Sequence, residues 1–377
     1  MRRILAVFTA VTLAACSDRP NPLQPAPDLA STAAGPGFVF TMTNGTGGNA
    51  ILRFDRGPDG GLAPAGEVST GGFGTGAGLG NQGGLTLGAN GRALFAVNAG
   101  DNTVSVLAVR GGDLELVDVV PSGGERPISV TTRGRLVYVL NAGGAGSITG
   151  FVITPGEGLV ALPGSTRPLS GATMTDAAQV SFSPNGRVLA VTEKATNLLV
   201  TYVVGADGRP GDPRVFASAG MTPFGFSFDP HGRLIVSEAF GGAPDASAVS
   251  SYAVSSDGAL SGISASVGTT ETAACWIIVT PGGRFAYTTN TASGSISGYA
   301  VAPDGSLGLL DDDGVTGVTG MGSGPIDLAL SRDGRFLYSL NSGNGTLSGF
   351  HVAADGRLLS IGTVEGIPGG ANGLVAR

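Results

Sequence analysis

The sequence contains few of the residues that most often carry out catalysis or bind metals. Its 377 residues include two histidines, two cysteines and one tryptophan, and its only lysine is Lys194. With two histidines, a histidine-based metal site or a His-dependent nucleophilic triad has little support. Charged residues make up 13% of the chain and form no basic run. Nucleic acid is therefore not an expected partner.

Glycine and proline are abundant, with 66 and 22 residues respectively. A chain so rich in these two residues cannot be mostly helical. Apolar residues reach 42% of the total, which is enough to build a large core. We therefore expect a turn-rich globular protein rather than a disordered one.

The N-terminus has the features of an export signal. A basic start precedes an apolar, uncharged stretch, 4–15, that is too short to span a bilayer. The stretch ends in LAAC, and small residues leading into Cys16 resemble the lipobox of bacterial lipoproteins. This resemblance implies cleavage before Cys16 and a lipid on its sulfur. The alternative is an ordinary cleavage site with an incidental cysteine.

These features predict a signal peptide over residues 1–15 and a lipidated Cys16 that begins a disordered, proline-rich tether over 16–36. The protein would then be attached to a membrane through Cys16, in the cell envelope, at the outer membrane or on the periplasmic face. Cys275 would be the one remaining thiol, so no intramolecular disulfide could form. Stability would have to come from packing.

A motif of Gly-Arg, an apolar run and a final Asn or Glu occurs six times, with its arginines 43 to 52 residues apart. That period is typical of a four-stranded propeller blade. Asp-Gly hairpins between the third and fourth strands occur five times, with two looser versions. The motif ends at Asn98, Asn141, Glu193, Glu238, Asn290 and Asn341.

Seven third-to-fourth-strand hairpins predict seven blades. We name the strands of a blade A to D from the axis outward. The segment 37–68 supplies strands B, C and D without an A, whereas 371–376 resembles an A strand with no B after it. We therefore predict an all-β fold over 37–377, a single seven-bladed β-propeller that is closed by pairing of the N- and C-terminal segments. We expect it to be a monomer.

In such a blade the A–B and C–D turns lie on one face, and the B–C and D–A loops lie on the other. Glu193 and Glu238 end adjacent B strands on the second face, although glutamate has little turn propensity. One hypothesis is that they provide a general base, or form a divalent cation site together with Asn98 and Asn141. The alternative is a pair of solvated acids. No other cofactor is expected.

The remaining polar and aromatic candidates on this face also have two interpretations. The asparagines at the B-strand ends are typical turn residues, because asparagine tolerates a left-handed backbone and bonds its own backbone. A ligand-binding role is the alternative for Asn98, Asn141, Asn290 and Asn341. Trp276 enters an A strand and would either stack on a ligand or plug the channel mouth.

Several motifs resemble the propeller lactonases, a family that includes 6-phosphogluconolactonases and fungal carboxymuconate-lactonizing enzymes. They include the turns SPNGR (183–187), TPGGR (280–284) and SRDGR (331–335), and the segment VTEKATNLLVTYVV (191–204). The resemblance covers 37–377 and implies a propeller that opens lactones. Family members are thought to use histidine, arginine and glutamate on the channel face.

In this chain the A-strand entries carry no histidine, and the residues of the right type are Arg126, Glu193 and Glu238. We therefore expect a lactone hydrolase that acts outside the cytoplasm. Glu193 or Glu238 would be the base with Asp327 in reserve, and Arg126 and Lys194 would be the cations.

The alternative function is a non-catalytic surface propeller that binds a carbohydrate or a protein. The segment FAVNAGDNTVSV (95–106) also resembles the YVTN-type surface propellers, which have no established catalysis. The expected partners are accordingly a small lactone or a surface ligand, and the membrane itself.

Overall fold

The computed structural model describes residues 37–88, 91–154, 156 and 158–377. Within these ranges thirty strands form seven antiparallel sheets, and one 3₁₀ turn, Phe240–Gly242, is helical. No helix in the same ranges is long and apolar enough to cross a membrane. The predicted signal peptide over 1–15 and the tether over 16–36, with its lipidated Cys16, lie outside the described residues.

Each sheet forms one blade of three to five consecutive strands, apart from the inner strand of blade 1. Blades 1 to 3 contain β1 Gly37–Met42, β2 Ala50–Arg56, β3 Leu62–Ser69; β4 Leu85–Leu87, β5 Ala93–Asn98, β6 Thr103–Arg110, β7 Asp113–Pro121; and β8 Pro127–Arg133, β9 Leu136–Asn141, β10 Ser147–Ile153, β11 Leu159–Ala161, β12 Arg167–Pro168. Blades 4 and 5 contain β13 Ala177–Phe182, β14 Val188–Glu193, β15 Leu198–Val203, β16 Arg214–Ala217; and β17 Pro223–Phe228, β18 Leu234–Glu238, β19 Ala248–Val254, β20 Leu260–Gly268. Blades 6 and 7 contain β21 Ala274–Val279, β22 Phe285–Asn290, β23 Ser295–Val301, β24 Leu307–Leu309, β25 Gly317–Val318; and β26 Pro325–Leu330, β27 Phe336–Asn341, β28 Thr346–Val352, β29 Leu358–Glu365.

The last strand, β30 Asn372–Ala376, is the inner strand of blade 1 and pairs antiparallel with β1. Around the axis each inner strand contacts the next, in the cycle β30, β4, β8, β13, β17, β21, β26 and back to β30. This closed ring of seven sheets confirms the predicted seven-bladed propeller and its closure through the two chain ends.

The Asp-Gly hairpins need glycine because the preceding blade packs against them. The hydroxyl of Tyr338 in blade 7 donates to the carbonyl of Gly60 in blade 1 at 2.7 Å, and Tyr287 makes the same bond to Gly356. Gly60 has a φ of +88°, and a Cβ there would lie 2.4 Å from the ring of Phe336. Any other side chain would therefore meet both backbone strain and a clash with the neighbouring blade.

The second and third strands of each blade are buried on both sides because blades pack face to face. Every residue of β14, for example, is buried. The sequences of such strands are continuous apolar runs, and this explains why only 13% of the residues in the chain are charged. Charged side chains concentrate instead on the face that carries the A–B and C–D turns, here called the turn face. The opposite face, formed by the B–C and D–A loops, is the loop face.

Candidate functional site

The seven residues at the ends of the B strands form a buried ring under the loop face. Each has a fractional exposure of 0 or 1%, so none of these side chains is open to solvent. Each contacts the surrounding loops or the neighbouring C strand. The ring consists of Asn44, Asn98, Asn141, Glu193, Glu238, Asn290 and Asn341.

The two glutamates of this ring hold loops in place. Glu193 accepts hydrogen bonds from the backbone N–H and hydroxyl of Ser170 at 2.9 and 2.7 Å, and from Thr196 at 2.7 Å. Glu238 accepts from the N–H of Gly220 at 2.8 Å and from the hydroxyls of Ser250 and Ser266 at 2.5 and 2.7 Å. Both carboxylates are saturated with donors and sealed from water, which favours a structural role over that of general base.

The asparagines of the ring also hold loops in place, through their side-chain amides. Asn98 accepts from Thr70 at 2.8 Å and donates to Ser105 at 2.7 Å, so that it joins the loop of one blade to the C strand of the next. Of the five asparagines, only Asn44 has the left-handed backbone expected of a turn residue, with a φ of +52°. Asn98, Asn290 and Asn341 bind neighbouring side chains, and Asn141 donates to the backbone carbonyl of Ser122 at 3.3 Å.

The predicted cation site is not assembled in this ring. Asn98, Asn141, Glu193 and Glu238 belong to four different blades, and the carboxylates are bound by their own loops. Among the described residues, no group of three or more His, Cys, Asp or Glu side chains could hold a metal ion.

The central channel is filled by part of the connection from blade 1 to blade 2. We call residues 79–84 the channel plug. The side chain of Gln82 pairs with the backbone of Ile277 in blade 6, donating at 2.8 Å and accepting at 3.1 Å. The side chain of Asn81 donates to the carbonyl of Ile128 in blade 3 and accepts from Asn372 in blade 1 at 2.8 Å. Bonds to three blades show that the plug lies on the axis.

Trp276 and Cys275 pack at the rim of this plug. The indole N–H of Trp276 donates to the carbonyl of Asn81 at 2.6 Å, and its ring lies 4.7 Å from that of Phe224. Its fractional exposure of 5% leaves no face free for a ligand, which fits the plugging role. Burial raises the pKa of the Cys275 thiol to about 11, so this thiol is protonated and unreactive near neutral pH.

Asp327 lies inside the ring where blade 7 meets the closing strand. Its carboxylate accepts from the backbone N–H groups of Leu328 at 2.9 Å and Leu374 at 3.0 Å. Burial raises its pKa to about 7. The 4% exposure of Asp327 gives a substrate no access, so its geometry favours a role in closure rather than that of reserve base.

Three charged side chains meet at the mouth of the channel, above the plug. Arg126 and Asp176 occupy equivalent positions in blades 3 and 4, one residue before the inner strand, and both have a positive φ, of 53° and 44°. The Nζ atom of Lys194 lies 3.4 Å from Oδ1 of Asp176 and donates to the carbonyl of Gly80 in the plug. It also lies 4.7 Å above the ring of Phe224.

Burial dominates the electrostatics of this cluster. The side chain of Lys194 is 9% exposed, whereas that of Asp176 is 59% exposed. Desolvation lowers the pKa of Lys194, and the nearby charge of Arg126 lowers it further, while Asp176 opposes both effects. The cluster therefore places a solvent-accessible carboxylate beside the buried ammonium group of Lys194 at the loop face.

Sequence reasoning identified Arg126 and Lys194 but did not pair them with Asp176. It also missed the plug, although two signals were present. The inner strand of blade 2, β4, has only three residues, and the connection that precedes it, residues 70–84, is much longer than the other D–A loops. A shortened strand after a long, glycine-rich connection indicates that the chain leaves the sheet there.

Comparison with solved structures identifies relatives of this fold. A putative 6-phosphogluconolactonase from Bacteroides uniformis has a TM-score of 0.71 and 19% identity, over 89% of this chain and 98% of that one. The periplasmic gluconolactonase of Pseudomonas aeruginosa gives 0.67 and 18%, over 88% and 97%. Both likenesses show a shared propeller fold.

The same fold also occurs in a protein that is not described as a lactonase. A hypothetical selenium-binding protein from Sulfolobus tokodaii matches with a TM-score of 0.65 and 13% identity, over 94% of this chain and 96% of that one. No protein-family model and no curated protein sequence matches the chain. The architecture therefore agrees with the resemblance to the propeller lactonases, whereas an activity depends on the residues at the channel mouth.

Proposed function

We propose that the protein is a lactone hydrolase of the cell envelope whose reaction site is the channel mouth. The observation that carries this proposal is the accessible carboxylate of Asp176, held 3.4 Å from the Nζ atom of Lys194 beside Arg126. Ring opening of a lactone needs a base for water and a cation for the developing oxyanion. This cluster supplies both, and the fold of a periplasmic gluconolactonase is similar.

In the proposed reaction Asp176 takes a proton from water as the water oxygen adds to the lactone carbonyl carbon. Lys194 and Arg126 stabilise the negative charge on the carbonyl oxygen. The bond from this carbon to the ring oxygen then breaks, and Asp176 returns its proton to the ring oxygen, which leaves as a hydroxyl. The product is a hydroxy acid, and no other reactant is needed.

The surroundings favour a lactone that carries an anionic or polyhydroxylated substituent. Arg126 is exposed and can bind a carboxylate or phosphate through two nitrogen atoms. The plug closes the channel from below, so a substrate binds at the surface and its substituents remain in solvent.

A panel of aldonolactones and unsubstituted lactones tests this proposal with the purified protein. We expect hydrolysis of at least one aldonolactone, and a raised KM for Arg126→Ser with an anionic substrate but not with a neutral one. Arg167→Ser, which changes an arginine outside the mouth, serves as the control. Absence of turnover across the panel would contradict the proposal.

A separate observation favours the second candidate, a binding module. Four large apolar side chains are exposed in the D–A loops of the loop face: Phe73, Met174, Met221 and Met321, with exposures of 48, 77, 55 and 101%. Apolar side chains around a rigid mouth suit recognition of a protein or carbohydrate surface. If no lactone is opened while Met174→Ser and Met321→Ser lower retention on envelope material, this candidate replaces the enzyme.

The envelope location is part of the same proposal and depends on residues 1–36. Radiolabelled fatty acid should enter the wild-type chain and not the Cys16→Ser variant. A Cys16→Ser protein that still carried label would contradict anchoring at this position.

A further inference from the structure

A pair of cavities on the turn face adjoins the point where both chain ends meet. One cavity of about 510 Å³ is lined by Arg53, Arg56 and Arg377, among others. The second, of about 440 Å³, is lined by Arg56, Arg332 and Arg377 together with Asp333. Both cavities are bordered by Arg56 and Arg377, and we call the two together the closure cavity.

Four arginines line the closure cavity against two carboxylates, those of Asp55 and Asp333. Part of this charge is already paired, since Arg53 contacts Asp55 at 2.8 Å and also forms an ion pair with Asp113. Arg56 donates to the backbone oxygen of Arg377. Arg332, in contrast, is exposed and makes no hydrogen bond or ion pair with any residue that the structure describes. The cavity therefore keeps an excess of positive charge and a guanidinium group that is available to an anion.

Guanidinium groups bind phosphate oxygens through two parallel hydrogen bonds, so arginine-lined cavities suit phosphate groups. Each of the two cavities falls within the size range of small-ligand sites. The chemistry of this cavity thus fits a phosphate ester, which could belong to a lipid headgroup or to a soluble molecule.

The position of the first strand distinguishes between these sources. Gly37 lines the closure cavity and pairs with Arg56, beside the turn between β2 and β3. Strand β1 therefore begins at this cavity, on the turn face. If Cys16 carries the lipid, twenty residues join it to Gly37.

The negative charge of the loop face also favours a lipid headgroup at the closure cavity. Among the described residues, its B–C and D–A loops contain two cations, Arg126 and Lys194. They contain five acids, namely Asp101, Glu125, Asp176, Asp245 and Glu271. An anionic membrane would repel this face and attract the closure cavity.

We propose that the closure cavity binds the phosphate of an anionic phospholipid headgroup, so that the turn face rests on the membrane and the channel mouth points away from it. The inference rests on the envelope location proposed above and not on lactone hydrolysis. A lipid on Cys16 would attach the chain at one point and would fix no orientation by itself. The headgroup contact supplies the second attachment that does so.

Vesicle flotation tests the proposal with a chain that begins at residue 17, which retains every described strand and carries no acyl group. We expect binding to phosphatidylcholine vesicles that contain phosphatidylglycerol, and none to pure phosphatidylcholine. Arg332→Ser and Arg53→Gln should each lower the partition coefficient about fivefold. Arg209→Ser, on the turn face of blade 4 and away from the cavity, should leave it unchanged.

Three outcomes would overturn the proposal. Equal losses for Arg209→Ser and Arg332→Ser would mean that the whole face attracts anions without a site. Binding of inorganic phosphate, lost in Arg332→Ser, without any vesicle binding would assign the cavity to a soluble phosphate. Failure to bind either probe would remove the site. Lactone turnover of the same preparations is measured separately, so failure of this inference is distinguishable from failure of the proposed activity.

Discussion

The hydroxyl of Tyr338 and the carbonyl of Gly60 lie 2.7 Å apart although 278 residues separate them in the chain. This bond joins blade 7 to blade 1 in the way that Tyr287 joins blade 6 to blade 7 through Gly356. Inside the ring, Asp327 bonds the N–H of Leu374 across the same junction. The junction between the chain ends is therefore built from the same contacts as an ordinary boundary between blades.

Removal of the tyrosine hydroxyl should weaken this junction. Tyr338→Phe leaves the buried carbonyl of Gly60 without its partner, which costs about 1 to 3 kcal/mol. Tyr287→Phe removes an equivalent bond of the same length and is the matched comparison. We expect similar decreases in melting temperature for both variants. A loss for Tyr287→Phe with none for Tyr338→Phe would show that blades 7 and 1 do not close in solution.

Deletion of residues 372–377 removes β30 and leaves β1 as an unpaired inner edge. We expect the truncated chain to melt far below the wild type or to fail to fold. Leu374→Ala provides a milder test, because truncation of this buried side chain, 4% exposed, should cost about 2 to 5 kcal/mol. A truncated protein with the wild-type melting temperature would refute closure by β30.

Glu193→Gln and Glu238→Gln should lower the melting temperature and spare the reaction. An amide nitrogen in place of Oε1 would face the backbone N–H of Ser170 or Gly220, which has no other acceptor in the described contacts. In place of Oε2 it would face hydroxyl groups that now donate to the carboxylate. The exposed Glu365 is the control, and its glutamine variant should match the wild type. Unchanged stability with a loss of about 10² to 10⁴ in turnover would make either glutamate the base after all.

Burial of Asp327 predicts a loss of stability as pH rises. Its pKa is about 7 in the folded protein and about 3.9 in an unfolded chain. Between these values only the folded state holds the proton, so the free energy of unfolding falls, by about 4 kcal/mol in total, and levels off above pH 7.

Asp327→Asn should flatten this dependence between pH 4 and 7. The neutral side chain keeps one acceptor for the two N–H donors, so the slope, rather than the absolute stability, is the informative quantity. Chemical denaturation at a series of pH values measures it. An equal slope in wild type and variant would mean that Asp327 is solvated or ionised at the junction.

The sequence predicts the propeller well because each blade repeats the same local signals. The absence of a Gly-Arg motif before residues 37–44 and the unpaired strand near Asn372 together imply closure by the chain ends. The site is harder to predict, because its contacts join residues from different blades. The partner of Glu193 is Ser170 in the preceding loop, and that of Trp276 is Asn81, 195 residues away. Neither pairing has a local signature.

The same limit applies to Asp176 and Lys194. The proximity of these two loop-face residues depends on a plug that leaves the sheet before β4 and accepts a bond from Lys194 at Gly80. Glu193 precedes Lys194 in the sequence and stands out there, because it occupies a position that is asparagine in most blades. In the structure Lys194 contacts the exposed Asp176, whereas Glu193 is fully buried.

The most direct measurement is the turnover number of Asp176→Asn on a lactone that the wild type opens. We expect kcat to fall about 10² to 10⁴-fold, with a melting temperature close to that of the wild type because the side chain of Asp176 is 59% exposed. Asp101→Asn, which changes another acid of the loop face, should retain full turnover. Wild-type turnover in a folded Asp176→Asn protein would contradict the assignment of the channel mouth as the reaction site.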